Sequence, residues 1–519
     1  MKSLINWIQI YWNTRITKPL IAKIIFIGLG ISTTLWFLIR VLPKPQRAAY
    51  PCMQASAPIM SGFVIYLLTL TGSLAAYRKA GLNFRKARYL YTGIFLFIAL
   101  GGSIAFFIQN PGKVFATDTA VWTINPNAPI GVARGINAGR VVWVHDPKVA
   151  SWDGTNGFWW DDTVTSQSET DKMMTETISS LTGEKNLTKA WKSLFVYFNK
   201  TKKAKSEGYQ SNQKIAIKIN ANNNSAQTNS NEINASPQVT LAMLRTLIND
   251  AKIPQNNITV FDASRFITDN IYNKCHKEFP DVVFVDNVGG NGRVKSTYVE
   301  NAIPYSVDNG KLARGLASCA VEADYLINIA LLKGHVGQGV TLCAKNYYGV
   351  TSINNDWRKN AHDNFNQDRL GNAKYITFVD YLGHKDLGEK TMLFLLDGLY
   401  GAKLVNGIPA PKWQMAPFNN QWPCSIFASQ DGVAIDAVGL DFLRSEWPDM
   451  VDIAFSDQYL IEAALANNPP SKTVYDPEKD GSRLASLGVM EHWNNVKEKK
   501  YSRNLGKKNG IELIQKTIE

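Results

Sequence analysis

At 519 residues with a net charge of +13, the chain is long enough for a membrane segment plus one large or two ordinary domains, and basic enough to raise the question of nucleic-acid binding. The charge is one-sided: 13 Lys and Arg and no Asp or Glu lie between Met1 and Lys113, leaving 43 basic and 43 acidic residues from Val114 onward. A balanced remainder gives no reason for a phosphate-neutralising face, so nucleic acid is not an expected partner.

Three apolar stretches, about 21–42, 58–77 and 89–108, have the length needed to cross a hydrocarbon core of roughly 30 Å. The first carries only Lys23 and Arg40 near its ends, and the other two carry no charge. Lys2, Arg15 and Lys18 before the first span, and Arg78, Lys79, Arg85, Lys86 and Arg88 between the second and third, put those two segments on the cytoplasmic side. The expectation is therefore a multi-pass inner-membrane protein with three transmembrane helices in residues 1–113, the lipid bilayer as one partner, and a soluble domain facing the periplasm or exterior. Trp7, Ile8, Ile10, Tyr11 and Trp12 among basic residues read as an interfacial helix.

Beyond a connecting part, 114–214, the chain alternates β-like and helical patterns, which predicts an α/β fold with a mainly parallel sheet over 215–468. Val141–Val144 and Ile215–Ile219 read as strands. The Asn-rich stretch 220–234 reads as a loop ending in Ser236-Pro237, an N-cap followed by proline at the first helical position, before helical spacing from Val239 to Ile248. Ile258–Phe261 and Val282–Val285 are the next strands, ending in Asp262 and Asp286. Ligands gather at the carboxyl ends of such strands, so Asn220, Asp262 and Asp286 are candidates by position, although each also suits a turn or cap. Trp152, Phe158, Trp159 and Trp160 sit among Gly and Asp, either as core packing or as a surface that stacks on sugars or peptides. Residues 469–519 form a C-terminal extension without a motif, with a basic tail from Lys497 to Lys508.

The densest polar chemistry follows a hydrophobic strand, Tyr325–Ala330. Lys333-Gly334-His335, Ala344-Lys345-Asn346, Gly349, Arg358 and His362 come in quick succession, and three of the six histidines fall between His335 and His384. Histidine exchanges protons near neutrality, and a desolvated lysine acts as nucleophile or anion anchor. Asp397, Asp431 and Asp436 add carboxylates that would bind a hard cation or orient the histidines, while Asp397-Gly398 also reads as a turn. Cys52, Cys275, Cys319, Cys343 and Cys424 form no C-x-x-C pair. That argues against a zinc ribbon or a ferredoxin-type iron–sulfur cluster and leaves buried free thiols as the default, with a disulfide such as Cys275–Cys319 still open.

Ile217-Lys218-Ile219-Asn220, Ser236-Pro237-x-Val239, Val260–Ser264, the block from Ala323 to Gly349 and Ala428–Ala437, in that order, resemble the family catalogued as domain of unknown function 362, over roughly Ile215 to Leu443. The chain lacks the ferredoxin-type cysteines that many relatives carry. The order His335, Lys345, His362 also resembles the catalytic histidine, cofactor-bearing lysine and metal-binding histidine of the nickel-pincer lactate racemase family.

The leading expectation is an enzyme with a His/Lys/Asp site at strand ends. Its catalytic candidates are His335, Lys345, His362, Lys218 and Asp262, with Lys333, Asn346 and Gly349 binding a cofactor. Cofactor identity is open; a divalent metal would be held by His335, His362 and Asp436. The alternatives are a non-catalytic protein that captures an extracytoplasmic small molecule or protein at the membrane surface, and a distant mechanistic relative of the racemase.

Overall fold

The computed structural model describes residues 124–222, 230–307, 312–335, 339–352, 375–404, 407–450, 453 and 456–518, together with Ile31, Ser32, Thr34–Trp36, Ile39, Val64, Arg78 and Lys79. Residues 1–119 and 120–519 are separate compact units. In the first unit the described residues are helical.

The expected transmembrane region is corrected here. Among the described residues no helix is long and apolar enough to cross a membrane. The three spans at 21–42, 58–77 and 89–108 and the multi-pass inner-membrane localisation therefore find no support. Apolar length is necessary for a span but does not by itself make one. Most of those residues, and all of the interfacial segment Trp7–Trp12, lie outside the described residues.

The second unit is built on a ten-stranded mixed sheet. Its strands are β1 (Arg140–His145), β2 (Ile215–Lys218), β3 (Ile258–Asp262), β4 (Val283–Asp286), β5 (Val294–Lys295), β6 (Tyr325–His335), β7 (Gly339–Thr341), β8 (Thr391–Ala402), β9 (Ser425–Ser429) and β10 (Glu512–Thr517). They lie in the order β10-β1-β9-β8-β6-β2-β3-β4-β5, with β7 folded back antiparallel on β6. Pairing is parallel from β8 through β6, β2, β3 and β4 to β5, and between β10 and β1. It is antiparallel where β9 joins β8 to β1.

Helices cover both faces, which is why the central strands are hydrophobic runs rather than alternating patterns. Every residue of β6 and β8 is buried. One face packs against α1 (Gln167–Thr182), α2 (Leu187–Lys202), α3 (Pro237–Arg245) and α4 (Asp269–Glu278). The other packs against α5 (Cys343–Asn346), α6 (Thr377–Gly383), α7 (Gly432–Glu446) and α8 (Asp457–Ala464). Ser236 caps α3 as its sequence predicts, accepting from the Val239 N–H with Pro237 in the first turn. Asp397-Gly398 is not a turn but lies inside β8, where Asp397 pairs with Ile426. The C-terminal residues Glu512–Thr517 complete the sheet beside β1.

Of the aromatic loop residues, Trp152 and Trp159 are each only 1 % exposed. They pack with Tyr400, and Trp152 also stacks on Trp422. Phe158 and Trp160 are half-buried and stack on each other with ring centroids 4.7 Å apart. The loop thus divides between core and surface.

Candidate functional site

Strand order brings the candidate residues to one edge of the sheet. From β2 the chain steps through β3 and β4 to β5 on one side, whereas β6 sits on the other side of β2. Such a reversal leaves a crevice beyond the carboxyl ends of the strands, where backbone amides and strand-end side chains meet. Lys218 ends β2, Asp262 ends β3, and Lys333 and His335 end β6.

A buried polar lattice fixes this edge. Lys218 Nζ donates to Asp262 Oδ2 at 2.9 Å, Asn346 Oδ1 at 2.9 Å and the Ile219 carbonyl at 2.6 Å. Asp262 also accepts from the Ala221 N–H and from the Ser264 N–H and Oγ. Asn346 Oδ1 accepts a second bond from Asn220 Nδ2, and its own Nδ2 donates to Asn328 Oδ1 at 2.8 Å. Asn328 in turn donates to the Cys343 carbonyl. Each polar group is paired, as burial requires. Burial lowers the Lys218 ammonium from its ordinary range, and Asp262 opposes that shift.

Gly349 completes the lattice by what it lacks. A Cβ there would lie 2.7 Å from Lys218 Nζ and 2.9 Å from Asp262 Oδ1, and its carbonyl accepts from the Ala263 N–H. Gly334, between Lys333 and His335, allows an equally close approach: a Cβ would meet the Lys403 carbonyl at 2.3 Å.

Asp436 holds the short helix α5 from the opposite side. Its two oxygens accept from the Cys343 N–H at 2.8 Å and the Ala344 N–H at 2.9 Å, and Tyr459 donates its hydroxyl to Oδ2. Burial pushes its carboxyl up to about 6. Asp431 caps α7 through the Val433 and Ala434 N–H groups and also accepts from the Arg134 and Val489 N–H groups. The two aspartates of the Ala428–Ala437 block thus position backbone. Asp286 accepts from the Val288 and Gly289 N–H groups, and Asp397 from the Ser236 N–H.

Between these clamps α5 presents Lys345. The residue is half-buried. Burial, followed by the positive charges of Arg265 and Lys218, lowers it to about 7. Lys333 is 1 % exposed, and burial followed by Lys345 and Arg265 pulls it well below its ordinary value against the attraction of Glu232 and Asp262. His335, 7 % exposed, is buried at the end of β6 opposite Gly339.

Lys218, Asp262, Asn346 and Gly349 are therefore in direct contact, and Lys333 and Lys345 lie close enough to repel. His362 and Arg358 lie outside the described residues. Only two of the three residues in the racemase-like series are thus described, as are two of the three metal-ligand candidates, His335 and Asp436. Among the described residues no group of three His, Cys, Asp or Glu is arranged to hold a metal ion.

Sequence reading missed Asn328, Arg265 and Thr341. The signal for Asn328 was a lone amide in an otherwise apolar strand, a type of residue seldom buried without a task. Two of the other described histidines make their contacts elsewhere. His384 hydrogen-bonds the Ala302 carbonyl, and His492 lies between Asp441 and Asp457. Cys275, Cys343 and Cys424 are buried free thiols, and Cys319 is free and half-buried.

The family model described as "Domain of unknown function (DUF362)" matches residues 215–441, from β2 into α7. No curated protein and no solved structure matches the chain at a significant level.

Proposed function

The segment 215–441 is a DUF362 domain, a family whose description assigns no reaction, and from the residues that it gathers we propose that the protein is an enzyme acting on a small molecule bound at the carboxyl ends of β2, β3 and β6. Lys345 exchanges a proton with, or attacks, the bound molecule, and His335 is the second acid–base group. Lys218, Asp262, Asn346 and Gly349 are positioning residues that fix α5 and hence Lys345.

One observation carries this reading. A lysine is held on a helix clamped by Asp436 and Asn346, in a like-charged setting that brings its ammonium to about 7. An amine with that value is substantially neutral at physiological pH and still exchanges protons, as a nucleophile or a general base requires. Structural lysines at a surface have no need of such surroundings.

The test is conversion. The full chain is incubated in D2O with a panel of small carboxylates and phosphate esters, with and without added divalent cations, and followed by 1H NMR. Conversion or solvent-proton exchange of one compound, lost in Lys345→Met with no fall in Tm, is the expected outcome. Saturable binding without conversion of any bound compound would overturn the enzymatic reading in favour of a ligand-capturing protein.

A further inference from the structure

We infer that the molecule taken by this site is an oxyanion, a carboxylate or phosphate, gripped where the hairpin of β6 and β7 brings Lys333 and Thr341 together. The inference deepens the reading above and depends on it only for the location of the site.

Three observations converge. Thr341 pairs directly with Lys333 in the hairpin, and residues opposite each other on an antiparallel ladder carry their side chains on the same face. Thr341 is 4 % exposed and Lys333 1 %, yet Thr341 Oγ1 has no hydrogen-bond partner. A buried hydroxyl left unpaired carries its full desolvation penalty, whereas one that donates to a bound oxygen recovers it.

Charge supplies the second part. Lys333 feels Lys345 and Arg265 as repulsion, with Glu232 and Asp262 in opposition. Asp262 already serves Lys218, the Ala221 N–H and Ser264. Among the described residues acting here, Lys218, Lys333, Lys345 and Arg265 outnumber Asp262 and Glu232. Charge-assisted hydrogen bonds from ammonium and guanidinium groups to an oxyanion relieve like-charge crowding, which a neutral ligand leaves in place and a cation worsens.

The third part is topology. The hairpin lies at the carboxyl end of the strand that flanks the order reversal, where α/β sheets place their ligands. The sequence marks Lys333 here but not Thr341.

The experiment is thermal unfolding of the full chain at constant ionic strength, titrated with sodium phosphate or sodium malonate in place of chloride. The wild type is expected to show a saturable rise in Tm with at least one probe, and the probe that works distinguishes a phosphate from a carboxylate ligand. Thr341→Val is nearly isosteric and removes only the unpaired hydroxyl. Its unliganded Tm should equal or exceed that of the wild type while its midpoint concentration rises about tenfold, the loss of one good hydrogen bond at about 1.4 kcal/mol per decade. Lys333→Met should abolish the response, and Thr341→Val keeps the test decisive if that variant fails to fold.

No saturable shift with either probe, or an unchanged midpoint in Thr341→Val, would overturn the inference. Failure of this inference and of the enzymatic reading are separable. An anion response that needs Thr341, without conversion of any compound, sinks only the latter. Conversion dependent on Lys345 by a chain that ignores both anions sinks only the former.

Discussion

Lys218 Nζ lies 2.9 Å from Asp262 Oδ2, with 1 % and 3 % of the two side chains left to solvent. Removing one partner strands the other charge in a medium that solvates it poorly. Lys218→Met and Asp262→Asn are each expected to lower stability by roughly 3–5 kcal/mol in urea unfolding, and Lys218→Met/Asp262→Leu by less than the sum. Single-variant losses under about 1 kcal/mol, the scale of a surface pair, would show that this contact does not hold the strand ends together.

Gly349→Ala should destabilise without removing a single hydrogen-bonding group. The added methyl would sit 2.7 Å from Lys218 Nζ and 2.9 Å from Asp262 Oδ1, so the ion pair or the turn must shift. The expected loss is about 1–3 kcal/mol. A Tm equal to that of the wild type would mean that the lattice is loose enough to absorb a methyl group.

Lys345 makes stability depend on pH in a direction fixed by linkage. Its folded value, about 7, lies below the ordinary 10.5, so between those limits the unfolded chain binds more protons and stability rises with pH. The charged form is the costly one in the fold, and that cost is fully present below pH 7. Lys345→Met should therefore be stabilised relative to wild type at pH 6, with the gap closing toward pH 10. A difference that does not change with pH would contradict this.

His492 works with the opposite sign. Burial alone would lower it, but Asp441 and Asp457 outweigh burial and raise it to about 10. Its Nδ1 lies 2.6 Å from Asp441 Oδ1 and its Nε2 3.3 Å from Asp457 Oδ1. A raised value contributes stability fully present below the unfolded 6.5 and lost as pH rises through about 10. His492→Gln should cost roughly 3–5 kcal/mol at pH 6, and the ring resonances of His492 should not titrate between pH 5.5 and 8.5. Movement of those resonances with a midpoint near 6.5 would exclude the bridging histidinium.

Trp159 and Trp160 are adjacent and face different fates. Trp159 is 1 % exposed against Tyr400, so Trp159→Ala should cost roughly 3–5 kcal/mol in urea unfolding. Trp160 is half-buried beside Phe158, and Trp160→Ala should cost clearly less. Equal losses would place both rings in the core.

Local signals carried the sequence reading furthest. The Ser236-Pro237 cap and the strands ending in Lys218, Asp262 and Asp286 are legible because capping and strand patterns are properties of neighbouring residues. The pairing of β10 with β1 was not legible, because Glu512 and Arg140 meet only through the fold. Asp397-Gly398 misled for the same reason: a dipeptide that often turns is held in β8 by its neighbours. Apolar length suggested three membrane spans, and no helix among the described residues supports them. Within the site, Lys218, Lys333 and Lys345 stood out in the sequence as residue types. That Asp436 anchors α5 rather than offering two free oxygens required the distances to the Cys343 and Ala344 N–H groups.

The most direct measurement is the titration of Lys345 itself, by 13C NMR of lysine Cε in the full chain, with the signal assigned through its loss in Lys345→Met. A midpoint near 7 is expected, set by burial and by Arg265 and Lys218. A midpoint within one unit of the ordinary lysine value of about 10.4 would show a solvated ammonium and contradict a reactive amine at the strand ends.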